Sequence, residues 1–157
     1  MKKKLVLTLS GGMDSSVLLY MAQDRDYEEI HTVTFDYGQR HKRELACVNK
    51  QIKNFNAQFS GWFNLKVTNK VLDVNYIRDI APTSSLTNTD IDNPDISKIA
   101  GDAQPVSYVP FRNLMFLSIC SAYAESVGAD TVSYGAAQVD SLAGYWDGSE
   151  EFVDTLN

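Results

Sequence analysis

The segment "SGGMDSS", residues 10–16, combines residue types that suit the binding of an anion. It follows a short apolar run at 4–9 and precedes a helix-like run at 15–23, which predicts a turn between a strand and a helix. Its glycines allow the backbone to approach a ligand closely, and its serine hydroxyls can donate to phosphate oxygens. Together with the free N–H groups and positive dipole end of the helix, they predict a phosphate site.

Asp14 lies in the middle of this segment. A carboxylate repels a phosphate unless a cation lies between them, so we predict that Asp14 holds Mg²⁺ against a polyphosphate. The alternative is that Asp14 or one of the serines caps an ordinary helix. Capping explains one polar residue, but it does not explain a polar cluster beside two glycines.

The segment matches neither of two widespread nucleotide motifs. A Walker loop needs GxxxxGK[ST], and no lysine follows here; the dinucleotide fingerprint GxGxxG is also absent. The segment instead resembles the SGGxDS loop of the N-type ATP pyrophosphatases, or PP-loop enzymes, which activate an oxygen by adenylation. The resemblance implies that the loop binds the leaving pyrophosphate of ATP, with Asp14 and Ser15 as catalytic residues. The residues it implies for ATP binding are Leu9, Ser10, Gly11, Gly12, Met13, Asp14, Ser15, Ser16, Val17, Leu18 and Leu19.

Strand-like and helix-like segments alternate along the chain. The patterns predict strands at 4–9, 29–38, 61–69 and 130–136, helices at 15–23, 39–55 and 113–129, an ambiguous element at 69–80, a loop at 137–149 and a helix from 150. This alternation predicts an α/β fold with an open, mostly parallel, Rossmann-like sheet and helices on both faces. In such a fold the ligand crevice lies at the carboxyl ends of the strands.

Length and composition limit the possible function classes. The 157 residues fit a single domain over 1–157, and the net charge of −6 argues against a broad nucleic-acid surface. No segment is apolar enough to cross a bilayer and the start does not match a signal peptide, so we expect a cytoplasmic protein that does not contact membranes. Cys47 and Cys120 have no metal-ligand or redox spacing.

Residues 82–107 are rich in Pro, Ser, Thr, Asn and Asp and show little periodicity. They predict a long loop, which is uncommon inside a compact domain and is usually functional or mobile. A disordered surface insertion is the alternative.

Three further stretches narrow the resemblance: "FDYGQRHKRE" at 35–44, "YVPFRNLMF" at 108–116 and "VDSLAGYWDGSEEF" at 139–152. In this order and at this spacing, they and the loop resemble the 7-cyano-7-deazaguanine synthase family over the whole chain. The family's VPGRN motif appears here as "VPFRN", with Phe111 in place of the glycine. Its GYPDCR motif appears as "GYWDGS", without the Cys and Arg.

The resemblance implies an ATP-dependent ligase that converts 7-carboxy-7-deazaguanine and ammonia into a nitrile through adenylated intermediates. It also implies a homodimer. Arg40 and His41 are implied as catalytic residues, and cations at a helix start oppose the dipole, which favours a functional interpretation. The residues implied for substrate binding are Gln39, Arg112, Asn113, Tyr145 and Asp147. Asp147 can accept hydrogen bonds from a guanine-type ring edge, or it can be a turn residue before a glycine.

Members of this family end in a four-cysteine zinc site, and those cysteines are absent from this sequence. Zinc is therefore expected of the family but has no predicted ligands in this chain, which we expect to be a fragment or a short form. Two alternatives remain open. One is another PP-loop enzyme acting on a different base or on tRNA, such as a sulfur inserter with a reactive cysteine, and the other is an inactive ATP-binding module.

Overall fold

The structure is a computed structural model that describes residues 3–38, 42–59, 65–92 and 105–157. The chain divides into two compact units. The first comprises Met1–Asp36, His41–Asp73 and Phe116–Gly135, and the second comprises Tyr37–Arg40, Val74–Met115 and Ala136–Asn157. The expectation of a single domain over 1–157 stays a prediction.

A parallel sheet forms the centre of the first unit. Its strands in the described part of the chain are β1 (Lys4–Thr8), β2 (Glu29–Asp36), β3 (Lys66–Asp73) and β4 (Thr131–Ser133), in the order β3-β2-β1-β4. Each neighbouring pair is parallel. The chain runs outward from β1 to β3 and then returns to the other side of β1, so the strand order reverses next to β1. Open α/β sheets bind ligands at such a reversal, beyond the carboxyl ends of the strands.

The helices of the described residues are α1 (Met13–Ala22), α2 (Lys42–Phe59), α3 (Ile77–Ile80), α4 (Arg112–Val127), α5 (Gln138–Leu142) and α6 (Glu150–Leu156). Helices α1 and α2 cover one face of the sheet, where Leu19 and Phe55 join the core cluster that includes Ile30. The part of α4 in the first unit covers the other face, where Phe116 stacks on Phe35 with ring centroids 4.0 Å apart. The predicted α/β sheet with helices on both faces is confirmed.

Strand β1 is buried on both faces. Leu5, Val6 and Leu7 are at most 2% exposed, which is what a continuous apolar run predicts for the central strand of a parallel sheet. Because β1 lies between β2 and β4, the loop that follows it emerges in the middle of the carboxyl edge.

Several predicted boundaries differ from the structure. Strand β3 begins at Lys66 and continues to Asp73, which pairs with Asp36, so the ambiguous segment 69–80 contains the end of a strand and then α3. Residues 61–64 of the strand predicted at 61–69 lie outside the described residues. Pairing with β2 defines the last residues of β3. The sequence pattern does not reveal them, because the apolar side chain of Val71 is 59% exposed and so does not follow the alternation of buried and exposed positions. The predicted loop at 137–149 contains α5 and a 3₁₀ turn at Trp146–Gly148.

The described ends of the segment 82–107 form turns with buried hydroxyl groups in the second unit. Ser84 and Ser85 are fully buried. The N–H of Ser85 donates to the carbonyl of Val106, and the hydroxyl of Ser84 donates to the carbonyl of Ser107. These contacts tie the two ends of the segment together, whereas residues 93–104 lie outside the described residues.

Candidate active site

The loop of residues 10–16 begins where β1 is still bonded to β2. The N–H of Leu9 donates to the carbonyl of Val33 at 2.8 Å, and the hydroxyl of Thr34 donates to the carbonyl of Leu9 at 2.7 Å. Both backbone groups of Leu9 are therefore satisfied by the neighbouring strand. The turn starts at Ser10, at the carboxyl edge of the sheet, as the sequence predicts.

Gly11 brings the loop against the first turns of α2. Its φ is +89°, and a Cβ at this position would collide with the carbonyl oxygen of Glu44. A side chain would be strained by this backbone conformation and would also lack space. Gly12 then serves as the N-cap of α1 without a side-chain capping bond.

The start of α1 presents unpaired backbone donors. The helix begins at Met13, and the N–H groups of Met13, Asp14 and Ser15 have no acceptor within the helix, whereas the N–H of Ser16 donates to the carbonyl of Gly12 at 3.2 Å. Gly135, two residues beyond β4, lies beside these donors: a Cβ there would be 2.9 Å from the nitrogen of Ser15 and 3.2 Å from the carbonyl carbon of Asp14. Gly135 is not among the residues predicted for the site, although a glycine just after a strand of a parallel sheet is a usable signal in the sequence.

The serine hydroxyls of the loop are bonded within the loop. Ser15 and Ser16 donate to the carbonyl of Gly12 at 3.2 and 2.6 Å. The hydroxyl of Ser10 accepts from the N–H of Gly12 at 3.2 Å and lies 3.1 Å from that of Ser15. In this structure the hydroxyls fix the shape of the loop by bonding to its backbone. The expectation that these serines bind ATP stays a prediction.

Asp14 is exposed on the first turn of α1. Within the described residues, no group of three or more His, Cys, Asp or Glu side chains can hold a metal ion. A single exposed carboxylate nevertheless fits Mg²⁺, which is commonly bound by one or two carboxylates with the remaining ligands supplied by phosphate oxygens and water.

The other predicted ATP residues occupy different environments. Leu9 and Leu19 are fully buried in the core, Leu18 packs against that core, and Met13 and Val17 are exposed on α1. Gln39, Arg40 and His41 lie outside the described residues.

In the second unit, Asp147 and Asn113 are in direct contact. The Oδ2 atom of Asp147 accepts from the backbone N–H of Asn113 at 2.8 Å, and the side-chain amide of Asn113 donates to the carbonyl of Asp147 at 3.1 Å. Asp147 is 2% exposed. Burial raises the pKa of its carboxyl group above the ordinary value, while the Asn113 N–H and the charge of Arg112 oppose that rise. The carboxylate therefore caps the start of α4 from a distant turn.

Tyr145 and Arg112 also have partners within the second unit. The Tyr145 hydroxyl bonds to that of Ser107, and its ring lies 5.9 Å from the ring of Tyr108. Arg112 donates to the hydroxyl of Tyr37 at 3.4 Å, and its guanidinium carbon lies 5.8 Å from the centre of that ring. This contact connects the stretch "FDYGQRHKRE", which contains Tyr37, to the stretch "YVPFRNLMF", which contains Arg112.

Phe111 has a left-handed backbone conformation, with φ at +51°. Its side chain is 50% exposed, and its ring meets Trp146 edge to face with centroids 6.2 Å apart. A bulky residue is uncommon at such a φ. The VPGRN motif has glycine at this position, and glycine adopts a left-handed φ without strain.

A family profile described as "Queuosine biosynthesis protein QueC" matches residues 4–157. A 7-cyano-7-deazaguanine synthase from Clostridium kluyveri is 38% identical over 154 residues, which make up 98% of this chain and 62% of the relative. The chain therefore spans less than two thirds of that curated relative. An NH3-dependent NAD synthetase from Campylobacter jejuni, solved with a nitrate ion, has a TM-score of 0.52 at 14% identity, covering 99% of this chain and 69% of that one. This similarity shows the fold, an open parallel α/β sheet with helices on both faces.

Replacing Phe111 with glycine and with alanine should separate backbone strain from ring contacts. Both variants lose the aromatic ring, but only glycine adopts a φ of +51° without strain. We expect Phe111→Gly to be more stable than Phe111→Ala by about 1 kcal/mol, the reverse of the usual order. Chemical unfolding of both variants measures the difference, and a more stable alanine variant would contradict the assigned conformation.

The raised pKa of Asp147 gives stability a defined pH dependence. Below neutral pH the folded protein takes up a proton at Asp147 before the unfolded chain does, because the folded pKa lies above the ordinary value of 3.8. The free energy of unfolding of the native chain should therefore rise, relative to that of Asp147→Asn, as pH falls through the folded pKa. The asparagine retains an acceptor for the Asn113 N–H but does not titrate. A constant difference in denaturant unfolding from neutral to mildly acidic pH would exclude this effect.

Proposed function

Since the chain belongs to the queuosine biosynthesis protein QueC family, we propose that it converts 7-carboxy-7-deazaguanine and ammonia into 7-cyano-7-deazaguanine, using two ATP. The observation that carries the proposal is the loop of residues 10–16, whose backbone donors at the start of α1 lie beside Gly135. The printed name of the Clostridium kluyveri relative supports the choice of reaction. We further propose a cytoplasmic location and a homodimeric assembly.

The loop binds the phosphates that leave as pyrophosphate. The first-turn N–H groups of α1 and the positive end of its dipole stabilise the negative charge that develops on the leaving group. Gly135 lets the chain after β4 lie directly against the backbone of Asp14 and Ser15, because it has no side chain there. Asp14 would hold Mg²⁺, which supplies charge neutralisation between the carboxylate and the polyphosphate. Catalysis of this kind depends mainly on positioning and electrostatics.

The reaction proceeds through two adenylations. A carboxylate oxygen of the substrate attacks the α phosphorus of ATP, the bond to the bridging oxygen breaks, and pyrophosphate leaves. Ammonia then displaces AMP from the acyl adenylate and loses a proton, which gives the amide. The amide oxygen attacks a second ATP in the same way, and loss of AMP with the remaining nitrogen protons gives the nitrile.

Residues of the second unit contribute to substrate recognition in this proposal. Asp147, whose Oδ2 also caps α4, is assigned to the ring edge of the substrate on the basis of the family motif, with Asn113 and Tyr145 beside it. Arg112 recognises the carboxylate, since it forms no salt bridge within the described ranges and guanidinium groups bind carboxylates well. Gln39 is assigned to the substrate, and Arg40 and His41 to charge stabilisation, on the basis of the family motif.

The thiol of Cys120 is unsuited to sulfur insertion. A sulfur inserter needs a reactive thiolate, but burial raises the pKa of Cys120 to about 12. Cys47 is exposed on α2. An ATP-binding module without activity is the competing proposal, and the release of AMP distinguishes it from the enzyme.

The function is tested by incubating the chain with 7-carboxy-7-deazaguanine, ATP, Mg²⁺ and ammonia, with detection of AMP and the nitrile by mass spectrometry. Asp14→Ala should lower AMP release by roughly a hundredfold or more, because the charge between carboxylate and phosphates is no longer neutralised by a held cation. Its stability should fall by less than about 1 kcal/mol, since Asp14 is exposed and only favours the helix dipole.

Asp24→Ala is the matched control, because Asp24 is an exposed carboxylate beyond the other end of α1. It should retain full turnover. Binding of ATP without AMP above background would reject the enzyme in favour of the binding module, and unchanged turnover of Asp14→Ala would reject the metal role of Asp14.

Gly135→Ala should weaken ATP binding by roughly tenfold, because the new Cβ contacts backbone atoms of α1 that cannot move aside. Gly128→Ala is its control. A Cβ at Gly128 meets nothing within 4 Å, but its φ of +69° makes alanine strained, so that variant should lose about 1 kcal/mol of stability and keep its affinity. Calorimetric titration with ATP decides, and equal affinities of the two variants would contradict the role of Gly135.

A further inference from the structure

Gln51 contacts the loop from the second half of α2. Its side-chain nitrogen donates to the carbonyl of Gly11 at 3.1 Å and to the hydroxyl of Ser16 at 2.7 Å. The Gly11 carbonyl can only accept, which assigns the amide nitrogen to that side. The Oε1 atom of Gln51 is buried and has no hydrogen-bond partner among the described residues. An apolar side chain would avoid an unsatisfied oxygen, so the retained amide needs another reason.

The bond to Gly11 fixes the direction of a donor on the same peptide. In a trans peptide the carbonyl and the following N–H point in opposite directions. When Gln51 holds the carbonyl of Gly11, the N–H of Gly12 must point away from α2, where it meets the hydroxyl of Ser10. A peptide between two glycines has little steric preference of its own, so its orientation depends on such a contact.

The bond to Ser16 extends the effect to the next peptide. The hydroxyl of Ser16 accepts from Gln51 and passes its own proton to the carbonyl of Gly12 at 2.6 Å. Holding that carbonyl directs the N–H of Met13 the opposite way, outward from the start of α1. Gln51 thus acts on one peptide directly and on the next through Ser16.

We propose that Gln51 is a positioning residue that locks the Gly11–Gly12 and Gly12–Met13 peptides in one orientation, in which the N–H of Gly12 bonds to Ser10 within the loop and the N–H of Met13 is presented to a polyphosphate. The inference rests on the proposed function, because it assumes that the loop binds ATP. Ser16 is then the intermediary of the lock. Neither Gln51 nor its contacts were expected from the sequence, where it reads as an ordinary polar residue of an amphipathic helix.

The first test compares Gln51→Met with the wild-type chain, using Mg²⁺–ATP and inorganic pyrophosphate as calorimetric probes. Methionine keeps the length and volume of the side chain but cannot donate, so both affinities should fall by roughly tenfold. Gln58→Met is the matched control, since Gln58 is an exposed glutamine of the same helix, and it should bind as the wild type does.

The second test uses Gln51→Glu and a pH titration of affinity. An ionised glutamate only accepts and repels both the Gly11 carbonyl and the ligand, whereas a protonated one can donate a single hydrogen bond. The affinity relative to wild type should therefore recover several-fold between about pH 8 and about pH 5. The carboxyl groups of Glu44 and Asp14 also lie at the loop, so the wild type at each pH is the reference, and Gln58→Glu should show no such recovery.

The outcomes separate the two proposals. If the wild-type chain binds neither probe, the proposed function fails. If the wild type binds and Gln51→Met binds equally well, the lock is wrong and the function stands. Should Gln51→Met not fold, the pH titration decides: a pH-independent ratio for Gln51→Glu overturns the positioning role, because a residue that only stabilises the fold would not regain affinity on protonation.

Discussion

The approach of the Gly11 backbone to α2 is the constraint on which the loop depends. At a φ of +89°, with the Glu44 carbonyl oxygen where a Cβ would lie, only glycine fits. This contact brings the loop within reach of Gln51, about two helical turns further along α2. On its other side the loop is held by the hydroxyl of Thr34, which closes the end of β1. A flexible sequence is thereby fixed from two directions.

The parallel sheet explains why these groups meet. Strands β2 and β4 flank β1, and their carboxyl ends share one edge with the start of the loop. Thr34 comes from β2, and Gly135 follows β4 on the opposite side of β1. The loop contacts both neighbours: Thr34 bonds the carbonyl of Leu9, and Gly135 lies close to the backbone of Ser15. The site is thus a consequence of the strand order as much as of the sequence "SGGMDSS".

Local patterns predicted the fold class and the position of the loop, because the apolar run of β1 and the glycines of the turn are short-range signals. They did not predict β3 as far as Asp73, since its edge position leaves Val71 exposed and only pairing with β2 defines its end. They also did not predict the contacts of Gln51 and Gly135. Gln51 bonds to Ser16, which is 35 positions away, and Gly135 lies beside Ser15 on a different strand-to-helix connection. The capping of α4 by Asp147 is similarly long-range and is invisible in either local motif.

The departures at Phe111 and Trp146 are coupled in the structure. Phenylalanine replaces the motif's glycine at a left-handed position, which costs about 1–2 kcal/mol. Trp146 stands where the GYPDCR motif has proline. Its ring meets that of Phe111 with centroids 6.2 Å apart and also packs on Phe152 at 5.1 Å. An aromatic pair contributes about 0.5–1.5 kcal/mol beyond its buried area, which is of the same order as the strain. The contact between the two rings is therefore large enough to offset much of the backbone strain at Phe111 in the turn before α4.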